Sequence, residues 1–183
     1  YCRGNPYNPL EDDEVDGRFI HYGRVQFSQN GPVYVLPVEQ WSYRNRLKIR
    51  VDENDAFIPD YRVNSYDTNL NPAEVQTAGN PVTSYIWGYL GLYPVAEIVG
   101  MGITAVGNHV IGSDATHCLG DFIFQSASQA EPPSGLWNGL ESLRSSISGN
   151  ALIRENRYSL LVGAIQETDP MGKSSLSSSD SAG

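Results

Sequence analysis

The stretch YIWGYLGLYPVAEIVGMG (residues 85–102) sets four aromatics, Tyr85, Trp87, Tyr89 and Tyr93, within nine positions and then runs into a glycine-broken apolar segment. Tyr85, Trp87 and Tyr89 alternate, so a strand would place them on one face, and that face is expected to be largely buried. The second half is ambiguous, because GMGITA (100–105) formally fits the G-x-G-x-x-[G/A] turn that cradles a pyrophosphate at a helix N-terminus. The sequence on either side argues against that use. VGNHVIGSDATHC (106–118) carries Gly107 and Gly112, and each costs about 1 kcal/mol inside a helix. The next strand candidate, FIFQ (122–125), ends in Gln125 and not in the acid that would hold a ribose. The expectation is a strand leading into a glycine-rich link, with no cofactor.

The preceding sequence supports the strand. RFIHYGRVQF (18–27) and PVYVLPVEQWSYRNRLKIRV (32–51) are rich in β-branched and aromatic residues, and SQNGP (28–32) between them carries an Asn-Gly hairpin signal. Leu47, Ile49 and Val51 alternate with Arg46, Lys48 and Arg50, the period of a half-buried antiparallel strand. YRVNSYD, AEVQTAG and PVTSYIWGY follow at short spacing without intervening helices. The fold class expected is therefore mainly β, an antiparallel meander of short strands.

Further along, SGLWNGLESLRSSISGN (134–150) places Leu136, Leu140, Leu143 and Ile147 at helical spacing, with Ser134 as a cap and Gly149 as a stop. One short helix near 134–148 is expected, resting on the sheet that contains Tyr93, Val95 and Leu160, since a lone helix of this length is marginal in water. Strand character returns over 151–168, and the serine-rich tail KSSLSSSDSAG reads alone as a flexible terminus. The chain thus divides into an extended or irregular lead-in (1–31), a β segment (32–98), a link (99–133), the helix, and a closing β segment (151–183).

Composition narrows the function classes. With 40% hydrophobic residues the 183-residue chain can bury a core. Its net charge of −9 argues against nucleic acid as a partner, and no apolar run approaches the roughly 20 residues of a membrane-spanning helix. Asp12, Glu14 and Asp16 before Gly17 echo the start of a calcium loop, but its twelfth position is Gly23 where a bidentate Glu is needed, so an acidic turn and no metal site is expected. His21, His109 and His117 accompany neither a G-x-S-x-G elbow nor an H-E-x-x-H helix. No catalytic, cofactor-binding or metal-binding residue is assigned, and no enzyme activity is expected. Cys2 and Cys118 are the only cysteines and could pair in an exported protein. A start at Tyr1 without Met reads as a processed or excised segment.

YDTNLNPAEVQTAGNPVTSYIWGYLGLYPVAEI (66–98) resembles the RHS/YD-repeat proteins, especially the large surface and toxin-carrying forms of Bacteroidetes-type bacteria. Tyr66, Asp67 and Asn71 match the opening of a repeat, with Asn69 and Leu70 where that family often has other turn residues. Tyr85, Trp87, Gly88, Tyr89, Tyr93, Pro94, Ala96 and Ile98 match its aromatic strand, and Gly163, Thr168, Asp169, Pro170 and Gly172 match a later strand ending in T-D-P-x-G. The tail then reads as an eroded repeat that keeps Asp180 and Gly183 in register but puts serine or leucine in place of tyrosine. The resemblance covers about 33–183, with 99–133 alike only in rough length and helix content. It implies a curled, YD-repeat-like sheet acting as a non-catalytic scaffold in a secreted or surface-exposed bacterial protein. Its partners would be flanking repeats of the same chain or neighbouring subunits. An all-β coat, pilus or adhesin subunit of jelly-roll or fimbrillin-like type is the alternative.

Overall fold

Alternating strand patterns joined by short turns favour pairing between sequence neighbours, and the sheet is built that way. The computed structural model describes residues 17–43, 57–112, 117–147, 151–159 and 162–177. Its strands are β1 (Gly17–Val25), β2 (Tyr34–Tyr43), β3 (Phe57–Tyr66), β4 (Pro72–Thr77), β5 (Thr83–Gly88), β6 (Tyr93–Val99), β7 (Leu152–Ser159), β8 (Gly163–Thr168) and β9 (Ser174–Leu176). All nine form one antiparallel sheet in chain order. The mainly β, antiparallel-meander reading holds.

Among the described residues three helices, not one, fill the connection between β6 and β7: α1 (Ile103–Gly107), α2 (Leu119–Ser128) and α3 (Ser134–Ser146). They do not interrupt the meander, because β6 and β7 still pair, Ile98 opposite Ile153. The segment read as a link is thus partly helical. Gly107 and Gly120 explain how its glycines are used: a Cβ on Gly120 would stand 3.1 Å from the Gly107 carbonyl oxygen, so the two helices touch backbone to backbone. Ser134 is the first residue of α3 and not its cap; Pro133 takes that place and makes no side-chain capping bond.

Leu136, Leu140 and Leu143 of α3 are buried in one cluster with Ile86, Val95, Ala96, Ile98, Val106, Leu119 and Ile153, and Tyr93 packs against it. This matches the expected seat of the helix on the sheet beside Tyr93 and Val95; Leu160 lies outside the described residues. The same packing corrects the reading of the aromatic strand. On β5 the fully covered side chains are Ser84 and Ile86, with Gly88 also buried, while Tyr85 and Trp87 on the other face are half-buried. Gly88 is on the inner face because nothing larger fits: a Cβ there would meet Val95, Pro132 and Ser126 at 2.7–2.9 Å. Tyr89, just past the strand at φ 55°, is buried as expected, but in the core cluster with Ile86 and not beside Tyr85 and Trp87.

Other differences are local. The lead-in assigned to 1–31 contains β1, where strand-like sequence begins, and the Asn30-Gly31 signal sits in a longer loop closed by Gln26, whose side chain donates to the Gln29 and Gly31 carbonyls. The closing strand region is a hairpin, β7–β8, and Ser174–Leu176 of the serine-rich tail pairs with β8. The alternation at 46–51, the acidic turn at 12–17 and the pairing of Cys2 fall outside the described residues, apart from Gly17 at the start of β1.

Candidate functional site

An Asp followed two and four residues later by free backbone N–H groups can close a turn through its own carboxylate. Two hairpins of this sheet do so in the same way. Between β3 and β4, Asp67 Oδ1 accepts from the Asn69 and Asn71 amides at 2.9 and 2.8 Å. The Asp67 amide donates to Asn71 O and the Leu70 amide donates to Asp67 O. Between β8 and β9, Asp169 Oδ1 accepts from the Met171 and Lys173 amides at 2.9 and 2.8 Å, the Asp169 amide donates to Lys173 O, and the Gly172 amide donates to Asp169 O. The fourth residue is left-handed in both, at φ 68° for Leu70 and 79° for Gly172.

That correspondence makes a test. Leucine in the left-handed region carries a penalty of about 1–2 kcal/mol, whereas glycine there costs only about 0.5–1 kcal/mol of extra chain entropy. Leu70→Gly is expected to raise stability by about 0.5–1 kcal/mol. In urea titration the midpoint should rise with the slope unchanged; a lower midpoint would mean that packing of the half-buried Leu70 outweighs its strain.

The aromatic motif closes on a second unusual turn. Tyr89, Leu90 and Gly91 take φ of 55°, 61° and 77° in succession, and the Leu92 amide donates back to Gly88 O and Tyr89 O. What stabilises this left-handed turn is its surroundings. The Tyr89 hydroxyl accepts from the Tyr158 amide at 3.0 Å, its ring meets Tyr93 and Tyr158 edge-on, and Tyr93 and Tyr158 stack at 4.5 Å. The Leu90 amide donates to Gln129 O at the end of α2. The Asp67 turn reaches the same place: Asn69 Nδ2 donates to Ala127 O and Asn71 Nδ2 to Gly91 O.

Beside the Asp67 turn lies a cavity of about 290 Å³. Its origin is topological. β4 and β5 pair only at Glu74–Ser84 and Val75–Thr83, and the Trp87 indole N–H crosses to Pro72 O at 2.8 Å. α2 stands over the opening. The walls include Phe27, Tyr66, Tyr85, Trp87 and Phe124, with Asp67 at the rim. Burial raises the Asp67 carboxyl above the usual aspartate value, against the lowering effect of its bonds from Asn71 and Asn69. Sequence reasoning took the wall tyrosines and Trp87 as strand aromatics and did not single out Ser65 or Phe124, which also line this space.

The features weighed and set aside in sequence stay apart in space. Within GMGITA, Gly102 precedes a helix of only five residues, and the Ile103 amide is already bonded to Glu74 Oε2 at 2.8 Å. A carboxylate therefore occupies the place where a phosphate would bind. His21 lies 3.6 Å from Glu39, His109 Nε2 is 3.2 Å from Ser142 Oγ, and His117 stacks near Phe122. Among the described residues no three His, Cys, Asp or Glu side chains gather as a metal site. No described helix is long and apolar enough to cross a membrane.

The outer strands are the remaining candidate surface. Among the described residues nothing pairs with the outer edge of β1 or of β9. β1 and β2 also expose apolar side chains on both faces, including Phe19, Ile20, Tyr22 and Val35. No protein-family model matches this sequence, and no curated protein matches it significantly.

Proposed function

We propose that the chain is a non-catalytic scaffold segment of a secreted or surface-exposed bacterial protein of the RHS/YD-repeat kind. The observation that carries this reading is the Asp-clasped turn found twice, at 67–71 and at 169–173, each joining neighbouring strands of one sheet. A recurring hairpin with a fixed hydrogen-bond scheme is what a repeat array requires, because every turn must deliver the next strand in register. Among the described residues the outer edges of β1 and β9 have no partner strand, which suits continuation into flanking repeats, since an open edge recruits further strands.

The exposed apolar side chains on both faces of β1–β2 favour a second reading, a self-assembling coat, pilus or adhesin subunit whose neighbour covers them. Sedimentation velocity over a concentration series separates the two. A repeat segment associates through its edges into open-ended, heterogeneous species. Association is then lost in Ile20→Lys, an exposed position, while the melting temperature holds. One discrete closed particle or a regular filament supports the subunit reading. A strictly monomeric chain at every concentration contradicts both.

A further inference from the structure

The cavity beside Asp67 has a chemical bias that a scaffold does not need. Its aromatic walls keep their polar tips elsewhere: Trp87 donates to Pro72 O, the Tyr66 hydroxyl donates to Pro37 O, and the Tyr85 hydroxyl feels the Glu97 carboxylate. What these residues offer the cavity is ring surface. The polar groups left are the Ser65 and Thr68 hydroxyls, which accept as well as donate, and the Asp67 carboxylate, which only accepts when ionised. Ser65 Oγ is enclosed and has no hydrogen-bond partner among the described residues, and Asp67 Oδ2 has only a long 3.4 Å contact from Asn71 Nδ2. No Lys or Arg is among the lining residues, and the chain as a whole carries a net charge of −9.

Ring faces attract cations through their quadrupole, and a carboxylate with a neighbouring hydroxyl accepts ammonium N–H groups. A neutral apolar molecule would leave Ser65 Oγ unpartnered, and an anion would meet Asp67. We infer that this cavity is a binding site for a small organic ammonium ion, its body against Trp87, Tyr85 and Phe124 and its N–H groups on Asp67 and Ser65. The volume, at the lower end for ligand pockets, suits a single ring or short alkyl chain. The inference stands on the cavity alone and does not depend on the scaffold reading.

Isothermal titration of the whole chain with phenethylammonium, and with phenethyl alcohol as its neutral counterpart, tests it. Saturable binding of the cation is expected, at least about tenfold tighter than the alcohol, since a hydrogen bond between charged groups is stronger than a neutral one. Asp67→Asn keeps an acceptor for the turn amides and should weaken the cation about tenfold or more. Ser65→Ala removes a polar atom that has no partner, so the fold should tolerate it, and it should also weaken binding. Phe124→Ala, at a 63% exposed lining position, should weaken it too. No saturable binding, equal affinity for alcohol and cation, or affinity untouched by Ser65→Ala and Phe124→Ala would each overturn the assignment.

Discussion

Leu140→Asp is expected to abolish the cooperative unfolding transition. Leu140 is fully buried, in one cluster with Ile86, Val95, Ile98 and Ile153. Truncating such a leucine costs about 2–5 kcal/mol, and leaving a carboxylate unpaired in the same place costs several more. A domain holds only about 5–15 kcal/mol in total. Leu140→Ala should therefore remain folded with a lowered midpoint, while Leu140→Asp should lose near-ultraviolet circular dichroism and show no sigmoidal urea transition. An aspartate variant that stays folded but no longer self-associates would make α3 an intersubunit surface, and the coat or pilus reading would gain.

Arg144→Met is expected to be the second most damaging change. Arg144 binds Glu155 at 2.6 Å and Glu141 at 2.8 Å, tying α3 to β7, and the side chains of Arg144 and Glu155 are only 14% and 10% exposed. Removing one member of a buried pair leaves the other charge without compensation, at about 3–5 kcal/mol. Replacing both, as Arg144→Met with Glu155→Leu, should recover most of the loss, because two apolar groups need no partner.

The same pair sets a pH dependence. Burial raises the Glu155 carboxyl above the ordinary glutamate value, and Arg144 only partly offsets it. Between the ordinary and the raised value the folded state holds this proton more tightly than the unfolded chain. The stability Glu155 contributes is thus fully present below the ordinary glutamate range and is lost as pH rises through the folded value. In Arg144→Met the larger part of the offset disappears, leaving the smaller contribution of Arg157, so stability should fall more steeply as pH rises above the ordinary glutamate value. A slope identical to that of the parent in urea titrations across this range would show that Arg144 does not stabilise the charged carboxylate.

The order of the sheet was legible because period-two alternation and turn residues act locally. Which face of β5 is buried was not legible. Side-chain size pointed to Tyr85 and Trp87, but the covered face is the one with Ser84, Ile86 and Gly88, because the helix layer comes too close for bulk. Closeness of that kind depends on Pro132 and Ser126, more than thirty residues away in sequence. α2 left a signal that was misread. Leu119, Phe122, Ile123, Ser126 and Ala127 fall at helical spacing, but FIFQ resembles a strand and two of the five are small. α1 could not be read at all, since it is one short turn stabilised by Glu74 from another strand. The cavity was equally hidden: Tyr66, Asp67, Tyr85 and Trp87 were visible as motif residues, whereas the parting of β4 from β5 that brings them around one space is a tertiary event.

The central claim is that this sheet is a segment whose outer strands recruit further strands. Residue-resolved hydrogen exchange tests it most directly, comparing β1 and β9 in the dilute monomer with the same strands in the concentrated, associated chain. The account predicts slow exchange in β5–β7 throughout, with the outward amides of β1 and β9 fast in the monomer and protected on association. Outward amides of β1 and β9 already as slow in the monomer as those of β6, or still fast after association, would contradict it.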